Sequence, residues 1–236
     1  MSTATPARDP YQRHRAAAAA SRTETRRRLL EAADTLFRQR GYPATTVAAI
    51  AQQAKVSVQT LYLAWGSKSA LLRAAADAAS SGSNLPLGPE DWRTHLTNQL
   101  AEDAGHDPGA AASLAAVSRL FVTVAERTAP YWRMHRDAAP TDPDVADDWQ
   151  AMVAGRRQTM TLIADALPRI GLRPEVTSPT LADTLWALAN PDVYDLLTTS
   201  GGYSPADYQE WLSSTLVAAL CQHPPAGSRT ERRRDE

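Results

Sequence analysis

Six consecutive residues, Ser57-Val58-Gln59-Thr60-Leu61-Tyr62, carry the side chains in this sequence best suited to chemistry, and that chemistry is recognition rather than catalysis. A Gln amide can pair with the edge of adenine, Thr and Val can touch a thymine methyl or a phosphate, and a Tyr hydroxyl can donate to a phosphate oxygen. Ser57 is placed to cap a helix, and a capped helix N-terminus itself favours a phosphate. Leu61 and Trp65 share one face of that helix and can pack inward, which leaves Val58, Gln59, Thr60 and Tyr62 pointing elsewhere.

Side chains of this kind read nothing unless other elements hold them. Leu29, Leu30, Ala33, Leu36 and Phe37 recur at three-four spacing among Arg26, Arg27, Arg28, Arg38 and Arg40, the pattern of an amphipathic helix with a basic outer surface. Gly41 and Pro43 end it. Thr45 or Thr46 then caps a second, short helix with Val47, Ile50, Ala51 and Ala54 on one stripe. A break at Lys55-Val56-Ser57 precedes the helix of Ser57 to Trp65, and two short helices joined by such a turn have helix-turn-helix spacing. Ser67 caps a fourth helix with Lys68 in its first turn, where a phosphate partner accounts for a cation that the helix dipole disfavours.

The segment from Thr25 to Ala75 resembles the N-terminal domain of TetR-type transcriptional regulators. The likeness rests on Gly41 to Val47 (GYPATTV), Ile50-Ala51, Val56-Ser57, Thr60-Leu61-Tyr62 and Ser67 to Leu72 (SKSALL), all in register. The resemblance implies that Thr45 and Thr46 open the helix that rests on the DNA backbone, that Ser57, Val58, Gln59 and Thr60 face the bases, and that Tyr62 and Lys68 hold phosphates. The chain departs from the pattern at Lys55, where the family usually has Gly. A non-Gly residue with positive φ is costly, so the turn is either strained or closed differently, and the charge of Lys55 can serve DNA. Ala48, Ala49 and Ala64 stand where the family often has phosphate-binding or aromatic side chains.

Charge is distributed to match. Residues 1–72 carry eleven Lys and Arg against four Asp and Glu, a net of +7, and the remaining fourteen basic and twenty-two acidic residues give −8. The overall formal charge of −1 conceals this split, and the local basic face is the footprint that matters for nucleic acid. Residues 1–22 read as a basic, partly disordered arm in which Arg13, Arg15 and Arg22 can lie along or enter a minor groove. Neither a signal-peptide core nor an apolar run of about 18 residues is present, so a cytoplasmic location without membrane association is expected. The single Cys221 leaves no internal disulfide.

Four segments are expected: the arm (1–22), the helix-turn-helix domain (23–73), a helical effector-binding and dimerisation domain (74–222) and a disordered charged tail (223–236). In the third, helices are predicted over Pro89 to Ala104, from Gly109 until a break or kink at Pro130, on to Ala139, and over Val145 to Ala166, Pro179 to Ala189 and Pro205 to Cys221, with a short one near Asp192 to Leu197. LWALANPDVYDLL at 185–197, Gly202 to Pro205 and Tyr208 to Leu212 resemble a subgroup of the same family. That likeness implies that the last two long helices pair with their copies in a four-helix bundle, and the apolar faces around Leu181, Leu185, Leu188, Trp211, Leu212, Leu216 and Leu220 exceed what one small bundle needs to bury, so they are expected to form the dimer interface.

Candidate effector contacts are Phe121, Trp132, His135, Trp149, Met152, Arg156 and Trp186, large or charged side chains from the middle helices where a bundle encloses a pocket. Core packing is the competing use of each apolar one, and a solvated face that of the arginine. No nucleophile elbow, phosphate loop, dinucleotide fingerprint or metalloprotease motif occurs, and the five His lack metal-ligand spacing. Asp142, Asp144, Asp147 and Asp148 are accounted for by helix capping. The reading is therefore all-helical, without enzymatic activity, cofactor or metal. The expected protein is a homodimeric regulator that binds a near-palindromic DNA operator, most simply a repressor released by an unknown small-molecule effector. An architectural or activating DNA-binding protein without a ligand is the alternative.

Overall fold

Basic and alanine-rich residues ahead of the first apolar pattern extend the first helix well beyond it. In the computed structural model, which describes residues 10–82 and 109–222, α1 runs Pro10–Ala44, so residues 10–22 are helical instead of forming a loose arm. The Ala16 to Ala20 tract explains this, because Ala loses the least free energy of any residue in a helix. The helical path breaks at Gly41, whose φ of 76° suits a residue without Cβ.

Local capping sets the next three elements. Thr46 caps α2 (Val47–Gln53) by accepting from the Ala49 amide at 3.1 Å, and Ser57 caps α3 (Val58–Trp65) from the Thr60 amide at 3.0 Å. Ser67 does the same for α4 (Lys68–Ser81), with the Ala70 amide at 3.0 Å. Then follow α5 (Ala110–Ala138), α6 (Pro143–Ala166), α7 (Ser178–Leu188), α8 (Pro191–Asp195) with a π-turn over Leu196–Ser200, and α9 (Pro205–Leu220). Among the described residues the remaining regular pairing is one isolated β-bridge, Leu172 to Cys221. The helix expected over Pro89 to Ala104 and the tail at 223–236 lie outside the described residues.

Pro130 does not break α5. A proline inside a helix costs about 3 kcal/mol, but Ala129 and Tyr131 on either side of it are buried in two different cores, which hold both flanks helical. The chain divides into two compact units, residues 1–92 with 130–151, and 93–129 with 152–236. The boundary expected after residue 73 falls inside α4, and residues 130–151 join the first unit because Tyr131, Ala138 and Val145 complete its core of Leu29, Leu36, Phe37, Ile50, Leu61 and Leu72. The second core gathers Leu114, Val117, Ile163, Leu181, Leu185, Tyr208, Leu212 and Leu216.

Within the first unit the acidic start of α6 does more than cap. Asp142 accepts from the Val145 amide and from the Tyr42 hydroxyl at 2.8 Å, Asp144 receives Ser69 Oγ at 3.5 Å, and Asp148 pairs with Arg73 at 2.8 Å. Beside that pair His135 is fully enclosed. Its Nδ1 lies 2.8 Å from the Tyr131 carbonyl, which can only accept, so the neutral ring carries its proton there and leaves Nε2 without a partner. Burial lowers the His135 pKa from 6.5 to about 4, the Asp148 charge opposing and the Arg73 charge reinforcing the shift.

Two expectations follow. The unfolded chain takes up a proton on His135 near pH 6.5 and the folded one near 4, so this residue's contribution to stability is full above 6.5 and is lost as pH falls through 4. His135→Gln should flatten the acid limb of urea-unfolding stability by up to about 3 kcal/mol relative to the parent; an unchanged limb contradicts the assignment. Lys55, with φ of 55° the positive-φ non-glycine residue among the described residues, carries backbone strain, and Lys55→Gly should raise stability by about 1 kcal/mol in the same assay.

Candidate nucleic-acid interface

The joint between α2 and α3 is where the sequence sets the reading helix. The Val56 amide donates to Ala51 O at 3.0 Å and the Lys55 amide to Gln52 O at 3.1 Å, the paired bonds of a Schellman closure, with Lys55 in the left-handed position normally held by Gly. The turn keeps the Schellman geometry and accepts the strain. Arg28 on α1 helps to hold it, since its Nη2 donates to Ala54 O and lies 3.3 Å from Lys55 O. At the far end of α3, Arg26 donates to Ala64 O, its guanidinium sits 3.8 Å from the Trp65 ring centroid, and the Trp65 indole donates back to Arg26 O at 3.3 Å. The arginines of α1 thus serve as clamps on both ends of the helix-turn-helix. Arg27 is likewise engaged, by Glu24 and Glu31.

Held this way, α3 buries Leu61 completely and presents Ser57, Val58, Gln59 and Tyr62 to solvent, with Thr60 half-buried and its hydroxyl 2.8 Å from that of Ser57. Thr46, Lys55 and Arg22 are exposed as well. Arg15, Arg22 and Arg26 follow one another at spacings of seven and four, hence on one stripe of α1, and Arg26 is the member that touches α3. One exposed side chain on α3 escapes sequence reasoning: Leu63, whose apolar character suggests a core position. Its place in the helical period opposite Leu61 is the signal that could have found it.

Two expected DNA contacts are corrected. Thr45 is fully buried, its hydroxyl 2.8 Å from Gly41 O and 3.2 Å from Leu36 O, so it locks the end of α1 and has no surface for a phosphate. Lys68 Nζ donates to Tyr42 O at 2.9 Å and Thr45 O at 3.1 Å and lies 3.9 Å from the Tyr42 ring centroid. These carbonyls account for a cation in the first turn of α4 without a phosphate, and burial lowers its pKa.

The effector candidates divide between the units. Trp132, His135 and Trp149 fall in the first, where the two indoles meet edge to face at 4.5 Å; Phe121, Met152, Arg156 and Trp186 fall in the second. There Arg156 donates to Trp186 O at 3.0 Å and to Ala189 O, with its guanidinium 4.4 Å from the Trp186 ring centroid, so it caps the end of α7. Desolvation lowers its pKa to about 10. Phe121 lies 6.2 Å from Tyr208, which also contacts Tyr194 and Trp211 and donates to Leu188 O at 3.0 Å. An open groove of about 520 Å³ beside the start of α9, lined by Gly201, Tyr203, Asp207, Glu210 and Trp211 among others, includes none of these seven candidates.

The proposed dimer seam also needs correction. Leu181, Leu185, Leu212, Leu216 and Leu220 are each at most 2% exposed within the single chain, because α7 and α9 turn these faces toward their own core. They have no area left for a second copy; Leu188 and Trp211 are the two of the seven that reach the surface.

Residues 29–75 match the model of bacterial regulatory proteins of the tetR family. No curated protein matches the chain by sequence. Solved structures with the same fold include NalD, the secondary repressor of the MexAB-OprM multidrug efflux pump in Pseudomonas aeruginosa, at 19% identity over 85% of this chain and 98% of that one, with a TM-score of 0.60. A TetR transcriptional regulator from Chloroflexus aurantiacus is 20% identical over 86% and 100% of the two chains, with a TM-score of 0.57. The SmeT–triclosan complex is 18% identical over 84% and 92%, with a TM-score of 0.58. Residues 29–75 thus carry the N-terminal domain of bacterial regulatory proteins of the tetR family, and the chain as a whole shares its helical fold with these solved regulators.

Proposed function

We propose that the chain is a cytoplasmic, homodimeric, sequence-specific DNA-binding regulator whose α3 enters the major groove of each half of a near-palindromic operator. The observation that carries this reading is the helix-turn-helix itself: a capped α3 clamped at both ends by Arg28 and Arg26, with Val58, Gln59 and Tyr62 turned outward. Gln59 reads a base, Ser57, Thr60 and Tyr62 bind phosphates or bases beside it, Thr46 and Lys55 face the backbone, and the helical extension with Arg15 and Arg22 tracks the flanking phosphates. Among the described residues no helix is long and apolar enough to cross a membrane.

The regulator acts as a repressor released by a small molecule. NalD as a repressor and SmeT in complex with triclosan support that reading for a chain of the same fold. Effector contacts lie in the second unit around Phe121, Met152 and Trp186, and copies pair through outward residues of α7 and α9 such as Leu188 and Trp211. An effector acts to the extent that its affinity differs between the DNA-competent arrangement and the others.

Gln59→Ala should cost about 1 to 3 kcal/mol at one base pair per half-site and abolish the preference there, read from affinities for single-base operator variants. Unchanged discrimination would transfer the reading role to Val58 or Thr60. Deleting residues 1–22 should weaken binding and reduce the slope of log K against log salt by up to about 0.9 per lost phosphate contact. A slope equal to that of the full chain would show that the extension makes no phosphate contact.

A further inference from the structure

An exposed leucine on its own is ordinary, but the apolar exposure on α3 is concentrated. Of the six large hydrophobic side chains that stand exposed among the described residues, three belong to this eight-residue helix: Val58 at 39%, Tyr62 at 51% and Leu63 at 83%. Leu63 is the most exposed of all six. A helix turns about 100° per residue, so Gln59 and Leu63, two positions before and two after the buried Leu61, each lie about 200° around the axis from it in opposite senses. They form the outermost ridge of α3, one turn apart and side by side. The clamps at Arg28 and Arg26 fix Leu61 inward and therefore fix this ridge outward.

The solvent-facing ridge of a helix would ordinarily carry a polar group at its crest. An apolar group there finds a matching surface on DNA in one place, the thymine 5-methyl group in the major groove, the single apolar feature that base edges present there. We infer that Leu63 is a specificity-determining residue that contacts a thymine methyl next to the base pair read by Gln59. This rests on the DNA-binding reading above and extends it to a base contact that Gln59 does not supply. Each half-site then carries a thymine whose methyl group, and not only its hydrogen-bonding edge, contributes to binding.

The test begins with an operator selected from a random-sequence duplex pool by the full-length wild-type chain. Each thymine is replaced singly by deoxyuridine, which removes the methyl and keeps the base pair. Affinities are measured for wild type and for Leu63→Ala, which leaves the core untouched and should unfold at the wild-type temperature. Loss of one buried methyl-sized contact corresponds to about fourfold. One thymine per half-site should therefore lose about fourfold in wild-type binding on demethylation and nothing in Leu63→Ala. Equal losses in the two proteins, or no thymine that matters, overturn the assignment while leaving the DNA-binding reading in place. A wild-type chain that enriches no sequence overturns both.

Discussion

The angle between α2 and α3 depends on a left-handed residue that is not glycine. Lys55 completes a Schellman closure in which Val56 and Lys55 satisfy the carbonyls of Ala51 and Gln52, and two further carbonyls, of Ala54 and Lys55 itself, are left at the end of a short helix. Arg28 reaches across from α1 to both. A strained backbone persists only where its surroundings over-determine it, and here a guanidinium, a capping serine and the enclosed Leu61 do so together. The orientation of every outward side chain on α3 follows from that one closure.

A second set of polar contacts decides how the headpiece ends. Lys68 gathers the carbonyls of Tyr42 and Thr45, Thr45 gathers those of Leu36 and Gly41, and the Tyr42 hydroxyl donates to Asp142. These groups form a continuous chain from the glycine break in α1 to the first turn of α6. Burial raises the Tyr42 pKa, and Asp142 reinforces the shift, so the hydroxyl stays a donor throughout the physiological range. The acidic residues at 142–148 look like simple helix capping in the sequence, and only Asp142 is used in that way. Asp144 and Asp148 meet α4 through Ser69 and Arg73.

What could be read from the sequence was local. Thr46, Ser57 and Ser67 cap their helices as their spacing predicts, Gly41 breaks α1, and Leu61 turns inward, because each depends on neighbours within a turn or two. Thr45, Lys68, Arg26 and Arg28 were harder, since their partners lie on other turns or other elements, up to 39 residues away for Arg26. Long basic side chains look alike in a sequence whether they bind a carbonyl or a phosphate. The leucines of α7 and α9 show the same limit from the apolar side. Periodicity identifies which face is hydrophobic, and only packing tells whether that face meets its own chain or another. Pro130 persists in α5 for a related reason, as burial on both flanks outweighs a local penalty.

The long α1 also has a consequence for helix–coil cooperativity. An isolated segment the size of Pro10 to Glu24 would be only marginally helical in water, because the first turn fixes several residues for a single hydrogen bond. Here the nucleus already exists in the packed stretch that begins at Leu29, and each residue added toward the N-terminus extends an existing ladder. The exposed alanines at 17–20 therefore propagate order without a core of their own. In thermodynamic terms the extension is a fraying rod rather than a folding segment: its helicity decays smoothly from the core outward, and heat shortens it progressively before the globular units unfold.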